Sequence, residues 1–407
     1  MRRRFETERM AAARGMSRAS AHLVLGWSAK QARILTGGGR AEQLYSAERG
    51  FPFAPDELPH HHMLNGTTHA LFREWLASGR TCERFVGVWS RPLFTNGWEE
   101  STDVDEAAFN VQTRGAFIDL RVPTARPSLG SAGSLDALAA EELRLLARQH
   151  VFCGYTLPVS AAPGAPLVCT RHHAIDWNFV GVPRARPNKW RVEMPPPGLR
   201  LGPSTAQGAS GAAAAAWKEW SFALDDAGQS YYMERWARVD GDGDGAGPTL
   251  ALRSCSQPDE FIVLVGDHFA FARARAGCPL LPPARADGAA PPPASLVEMV
   301  DGAVARGDLA TARSWLGLAG GHGRVSAGWR IDLCTHPWLE GTQLLRSDMV
   351  AGAIVDGHAA GEVHADLRAQ ALVHGADNVV VIGGRPWELL DRTGLRGAED
   401  VLHVLRA

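Results

Sequence analysis

Asp119 and Arg121 stand two residues apart in Phe109-Asn-Val-Gln-Thr-Arg-Gly-Ala-Phe-Ile-Asp-Leu-Arg-Val-Pro123, and a second segment, Leu167-Val-Cys-Thr-Arg-His-His-Ala-Ile-Asp-Trp177, carries His172 and Asp176. Side chains alternate along a strand, so Asp119 and Arg121 share a face opposite Ile118, Leu120 and Val122. The same rule puts His172 with Asp176, opposite His173, Ile175 and Trp177. If the two polar faces meet inside a curved sheet, they enclose a carboxylate, a guanidinium and an imidazole. Arg121 would grip a carboxylate or oxyanion with its paired N–H groups, as a bidentate guanidinium does. His172 would be a general base, with Asp119 or Glu234 as the acid. In the bland alternative, Asp119 and Arg121 are a surface or cross-strand ion pair worth little, and His172 is held by backbone. His172 and Asp176 are about 13 Å apart along an extended strand, too far for a direct bond.

Tyr232, Glu234 and Trp236 share a third face. A carboxyl buried beside tryptophan would be pushed up by desolvation and could act as an acid. Alternatively Glu234 closes a buried bridge with Arg121 or Arg91. Gln112, Trp89 and Trp177 complete the expected lining with Tyr232, Trp236 and Asp176. Asp267 follows an apolar strand and a glycine, which suits a turn.

These residues need strands to position them. From Phe85 onward the period is two, in short segments at 85–91, 108–113, 116–122, 152–157, 166–170, 173–180, 217–223, 230–238, 248–254, 260–272 and 324–334, punctuated by Pro, Gly, Asn and Asp. Many short strands between turn signals predict a mainly β fold, a sandwich or a barrel. The 13 tryptophans against 4 tyrosines suit a β interior. Helices are predicted at His69–Leu76, Ser134–Arg148, Ser295–Val304 and Val363–His374, the second and third opening on a serine cap. Residues 1–57 read as an N-terminal extension, 58–342 as the barrel domain and 343–407 as a short α/β tail. That tail has a strand at 378–382 and a helix over Pro386–Leu395, and it resembles the end of a STAS domain. The Ser/Gly/Ala run 203–216 and the Gly-Asp run 240–248 read as loop expansions.

Composition narrows the function classes. The 407 residues have a net charge of −2 and 45% hydrophobic content. That balance gives no reason to expect nucleic acid, and no apolar run reaches the length of a membrane helix. Six cysteines without a C-x-x-C pair predict buried thiols and favour a cytoplasmic location. The basic start Met1-Arg-Arg-Arg-Phe-Glu6 leaves an organelle as the alternative. His60-His-His62, or Cys169 with His172 and His173, lack three well-spaced ligands, so no metal is expected. No G-x-S-x-G, Walker loop or G-x-G-x-x-G follows a strand, so no nucleotide cofactor is expected. Nothing fixes the oligomeric state.

Across 83–341 the chain resembles a family of mostly uncharacterised microbial proteins. The carriers are Trp89-Ser-Arg91, Gln112-Thr113, Asp119-Leu-Arg-Val-Pro123, Cys169-Thr-Arg-His172 with Ile175-Asp176, Tyr232-Met-Glu-Arg-Trp236, Gly266-Asp-His-Phe269, Trp329-Arg-Ile331 and Pro337-Trp-Leu-Glu-Gly341. The family is distantly similar to a fungal protein built of lipocalin-like barrels. The resemblance implies a lipocalin-like barrel or two packed half-barrels with flanking helices; it carries no reaction. His173 and Asn178 depart from the family, whose members more often have Arg and a Gln-Pro pair there. The expected function is enclosure of a small, partly apolar molecule with an acidic or carbonyl end. An active version would be a cofactor-independent isomerase, hydratase or lyase. The competing reading is a non-catalytic interaction protein whose aromatics are only core.

Overall fold

In the computed structural model the described residues are most of 72–159, 167–178, 188–193, 216–221, 233–239, 247–276 and 296–407, with short interruptions. The expectations for 1–57, Tyr232, the 203–216 run and most of the Gly-Asp run fall outside them.

The mainly β expectation holds. Eight strands form a closed antiparallel barrel: β1 (Gly87–Ser90), β4 (Glu106–Gln112), β5 (Ala116–Pro123), β6 (His150–Val159), β7 (Leu167–Asp176), β8 (Asn188–Glu193), β9 (Ala216–Ser221) and β10 (Met233–Arg238). From β4 to β10 each strand pairs with its neighbour in sequence, and β1 closes the barrel between β10 and β4. A small hairpin, β2 (Leu93–Phe94) and β3 (Thr102–Asp103), is inserted after β1.

Nine further strands make a second antiparallel sheet: β11 (Thr249–Ser254), β12 (Glu260–Val265), β13 (His268–Arg273), β14 (Ala319–Arg324), β15 (Arg330–Cys334), β16 (Val350–Val355), β17 (His358–Gly361), β18 (Val379–Ile382) and β19 (Arg385–Thr393). β19 lies mid-sheet against β11, so residues before and after 342 share one hydrogen-bonded sheet. The helix expected over Pro386–Leu395 is a strand. Gly383 and Gly384, at φ 58° and 70°, make the two-residue turn that folds β18 onto β19, the left-handed pair that tight hairpins require. Of the strand expected at 324–334, Arg324 ends β14 and Arg330–Cys334 is β15, joined by a turn in which Gly328 and Trp329 both have positive φ.

Three helices predicted from periodicity are present, shifted at their ends. They are α1 (Ala140–Leu146), α2 (Leu296–Ala305) and α4 (Ala365–Val373); α3 (Leu309–Trp315) and α5 (Ala398–Arg406) complete the set. The α1 helix starts later than its expected serine cap. Glu142 instead accepts the Ala139 backbone N–H at 2.7 Å, while Leu135–Ala137 is a separate 3-10 turn. No helix among the described residues is long and apolar enough to cross a membrane.

The barrel is buried on both faces of β5. Outward residues Val111, Ile118, Leu120, Val122, Val151, Cys153, Tyr155 and Ile175 join one core with Ala251, Phe261, Val263 and Ala270 of the second sheet and with Leu296, Val300 and Trp315 of α2 and α3. The sheet's other face buries Leu252, Leu264, Phe269 and Trp329 against Val401, Leu402 and Leu405 of α5. Two polar staples cross the seam. Arg114 donates to Asp391 through Nε at 2.9 Å. Arg126 donates to Gln149 at 2.7 Å, to the Cys334 carbonyl at 2.6 Å and to Glu340 at 2.5 Å. Asp267 has the turn role expected of it, accepting from the Ser326 N–H at 2.6 Å and hydroxyl at 2.7 Å. Such packing fixes the outer wall of the barrel.

Candidate functional site

Alternation along β5 and its neighbours decides which side chains enter the barrel. In register, Asn110 of β4 opposes Asp119 of β5, and Phe152 of β6 opposes Asp119 from the other side. Phe117, Asp119 and Arg121 therefore face inward, as the two-residue period predicts.

A β-bulge changes the rule on β7. Gly154 pairs with His173 and Cys153 with Ile175, so Ala174 is an extra residue. A bulge shifts the phase of every side chain beyond it. The expectation that His172 and Asp176 share a face is thereby overturned. His173 and Asp176 share the inner face, and His173 Nδ1 lies 2.5 Å from Asp176 Oδ2. The other Asp176 oxygen accepts the Asn178 N–H at 3.0 Å. The His173 ring stacks on Phe152 at 4.6 Å.

His172 points outward. It contacts the Thr170 hydroxyl at 3.1 Å and meets the edge of Phe72 at 5.0 Å, with Phe72 stacked on Tyr155. The structure thus does not bring His172 to Arg121 and Glu234. Trp177 also lies on the outer seam, donating to the Ala147 carbonyl at 3.3 Å within the core shared with the second sheet. Cys169 packs with the inner tryptophans, so it and His172 occupy opposite faces.

Inside the barrel, carboxylates and guanidiniums alternate. Arg121 holds Asp119 with two donors, Nε at 2.8 Å and Nη2 at 3.0 Å. It also reaches Glu234 at 3.2 and 3.3 Å. Arg171 donates to Asp119 at 3.1 Å. Arg91, just past β1, bridges Glu106 and Glu234. The buried bridge weighed for Glu234 is present, with both expected partners. Aromatic faces line the same network: Trp236 lies 5.7 Å from the Arg91 guanidinium and 5.6 Å from Arg121, and Phe117 lies 4.4 Å from Arg171. Trp217 stacks on Trp236 at 5.8 Å and meets Trp89 edge-on at 5.9 Å. One part of the interior is thus a tryptophan cluster and the adjoining part an ion-pair network.

Electrostatics follow from this geometry. Burial alone would raise Asp119, but the charge and hydrogen bonds of Arg121, with Arg171 and Arg91, hold it below the usual carboxylate range. Burial would lower Arg121, and Asp119 outweighs it, so Arg121 is raised. Burial and then the neighbouring Arg121 pull Arg91 down to about 10. Glu219 goes the other way: burial raises it, and Arg171 and Arg121 only partly offset that.

Glu219 and Asn110 were missed by sequence reasoning. Glu219 is two residues from Trp217 on β9 and lies in register with Glu234 of β10; the alternation in Trp217-Lys-Glu-Trp220 was the available signal. One Glu219 carboxyl oxygen is buried with no hydrogen-bond partner among the described residues. Asn110 is fully buried, and neither its amide oxygen nor its amide nitrogen has a partner among them. Gln112, on the same face, has an unpartnered Nε2, while its oxygen accepts the Thr156 hydroxyl at 3.4 Å.

No family model matches the chain, and no curated protein matches it. A solved structure of the uncharacterised protein YLR301w from Saccharomyces cerevisiae is similar in part, at 10% identity over 76% of this chain and 99% of that one. Its TM-score of 0.35 is too low to bear on the fold or the site.

Proposed function

We propose that the barrel encloses a small, partly apolar molecule with a carbonyl or acidic end, and that this end meets β4 at Asn110 and Gln112. The observation that carries the reading is the Asn110 carboxamide, fully buried with both atoms unpartnered among the described residues. A buried amide left without partners costs about 1–3 kcal/mol, so such a group needs an occupant to explain it. Its cross-strand neighbour Trp89 and the Trp217–Trp236 stack supply the apolar wall. Mostly apolar lining with a few polar groups is how small-molecule sites are built.

Arg121 has a different part from the one expected of it. Its donors rest on Asp119 and Glu234, so a ligand carboxylate would have to displace a bidentate partner. Arg121 then holds the chamber's shape, and the amides of Asn110 and Gln112 read the ligand's oxygen. The fully engaged Arg121 also favours the second reading, a non-catalytic interaction protein whose barrel interior is only a polar core.

Asn110→Leu separates the two. A panel of small ketones, aldehydes and carboxylic acids should raise the melting temperature of the wild-type chain and leave Asn110→Leu unmoved. The core reading gives the reverse pattern: no compound acts on the wild type, and Asn110→Leu is the more stable protein by about 1–3 kcal/mol because an unpaired amide has been removed.

A further inference from the structure

Strand pairing sets Glu219 directly opposite Glu234. Two carboxylates in that position repel unless each has its own cation or one carries a proton. Glu234 already holds Arg91 and Arg121. Asp119 holds Arg121 and Arg171, and Glu106 holds Arg91. Among the described residues, the ion-pair network beside Glu219 has three guanidiniums, Arg91, Arg121 and Arg171, and three acids, Glu106, Asp119 and Glu234. These six balance among themselves without Glu219, while Asp176 is paired with His173 and Arg238 is turned to the Val86 carbonyl over Trp89. A fourth ionised carboxyl would leave a net negative charge in a closed, aromatic-walled interior, where desolvation penalises it. Glu219 is 4% exposed, and its Oε2 has no partner among the described residues.

Resting on the enclosed-ligand reading above, we propose that Glu219 stands in the barrel as a neutral carboxylic acid and donates its O–H to the carbonyl oxygen of the bound molecule. A carbonyl that gains negative charge, as in enolisation, is favoured by donors of this kind in a water-excluded site. The substrate class is then a small ketone, aldehyde or related carbonyl compound. Among the acids of the network it is Glu219, rather than Glu234, that can give a proton.

The test uses the full chain labelled with carbon-13 at glutamate side-chain carboxyls, titrated between roughly pH 5 and 8. Apart from that of Glu388, which burial also raises, one signal should remain in its protonated position after ordinary glutamates have ionised, and Glu219→Gln should remove it. Infrared spectra of carbonyl-labelled cyclohexanone supply the second readout. Its band should move to lower frequency on binding the wild type, and Glu219→Leu should bind it roughly tenfold more weakly, as loss of one hydrogen bond implies. If every glutamate ionises in the ordinary range, or the persistent signal survives Glu219→Gln, the proposal is overturned. Equal binding to wild type and Glu219→Leu, with weaker binding to Asn110→Leu, overturns the donor role and keeps the pocket. Failure of cyclohexanone to bind the wild type removes both.

Discussion

Asp119→Ala should be the most damaging single charge removal in the barrel, lowering stability by about 3–5 kcal/mol. The substitution leaves Arg121 and Arg171 facing each other without the carboxylate they share. A buried guanidinium that loses a carboxylate keeps its desolvation cost with less to offset it. The loss is a large part of what holds a domain folded. Urea titration measures it directly. Asp348→Ala is the control, because the Arg346–Asp348 pair lies open to solvent and should leave the midpoint where it was.

The pH dependence has a definite sign. Asp119 is lowered in the folded chain, so its contribution is complete above the unfolded carboxylate range, near pH 4, and is lost as pH falls through its folded value. Stability of the wild type should fall steeply on acidification below about pH 4, and the Asp119→Ala curve should be flatter there. Parallel curves would show that Asp119 is not the acid the network depends on.

Gly154→Ala should also be costly, for a backbone reason. Gly154 adopts φ 154° opposite the β7 bulge, and a Cβ there would sit 2.0 Å from the His172 carbonyl oxygen and 2.9 Å from the Ala174 N–H nitrogen. Both are main-chain atoms held in the sheet, so neither can swing aside. Relief requires the bulge to open. The bulge is what turns His173 and Asp176 inward, so Gly154→Ala should both destabilise the chain by more than about 2 kcal/mol and break the His173–Asp176 contact. The contact is followed by nitrogen-15 shifts of the His173 ring. An alanine variant of wild-type stability with an unchanged His173 spectrum contradicts the account.

These two residues also mark where the sequence was legible. Asp119 and Arg121 sit on β5, whose pairing runs unbroken on both sides, so two-residue alternation alone puts them inward. The same rule fails two residues before the end of β7 because Ala174 is inserted, and nothing within Thr170-Arg-His-His-Ala-Ile-Asp176 announces it. The sign lies on another strand, in a glycine at 154 whose need appears only once β6 and β7 are paired. Pro386-Trp-Glu-Leu-Leu-Asp-Arg392 carries good helix formers, yet pairing with β11 and β18 overrides that local preference. The Gly383-Gly384 pair beside it is a hairpin signal legible in the sequence. Glu219's inward face follows from its alternation with Trp217, but the role proposed for it depends on a charge count over several strands, which no local pattern contains.

Native mass spectrometry of the full chain, released gently from freshly prepared lysate, bears most directly on the enclosed molecule. The account predicts a wild-type chain carrying a small-molecule mass that is absent from Asn110→Leu. A wild-type chain that flies at its bare mass under the same conditions, while taking up no carbonyl compound added to it, would contradict the account and leave the barrel a polar core.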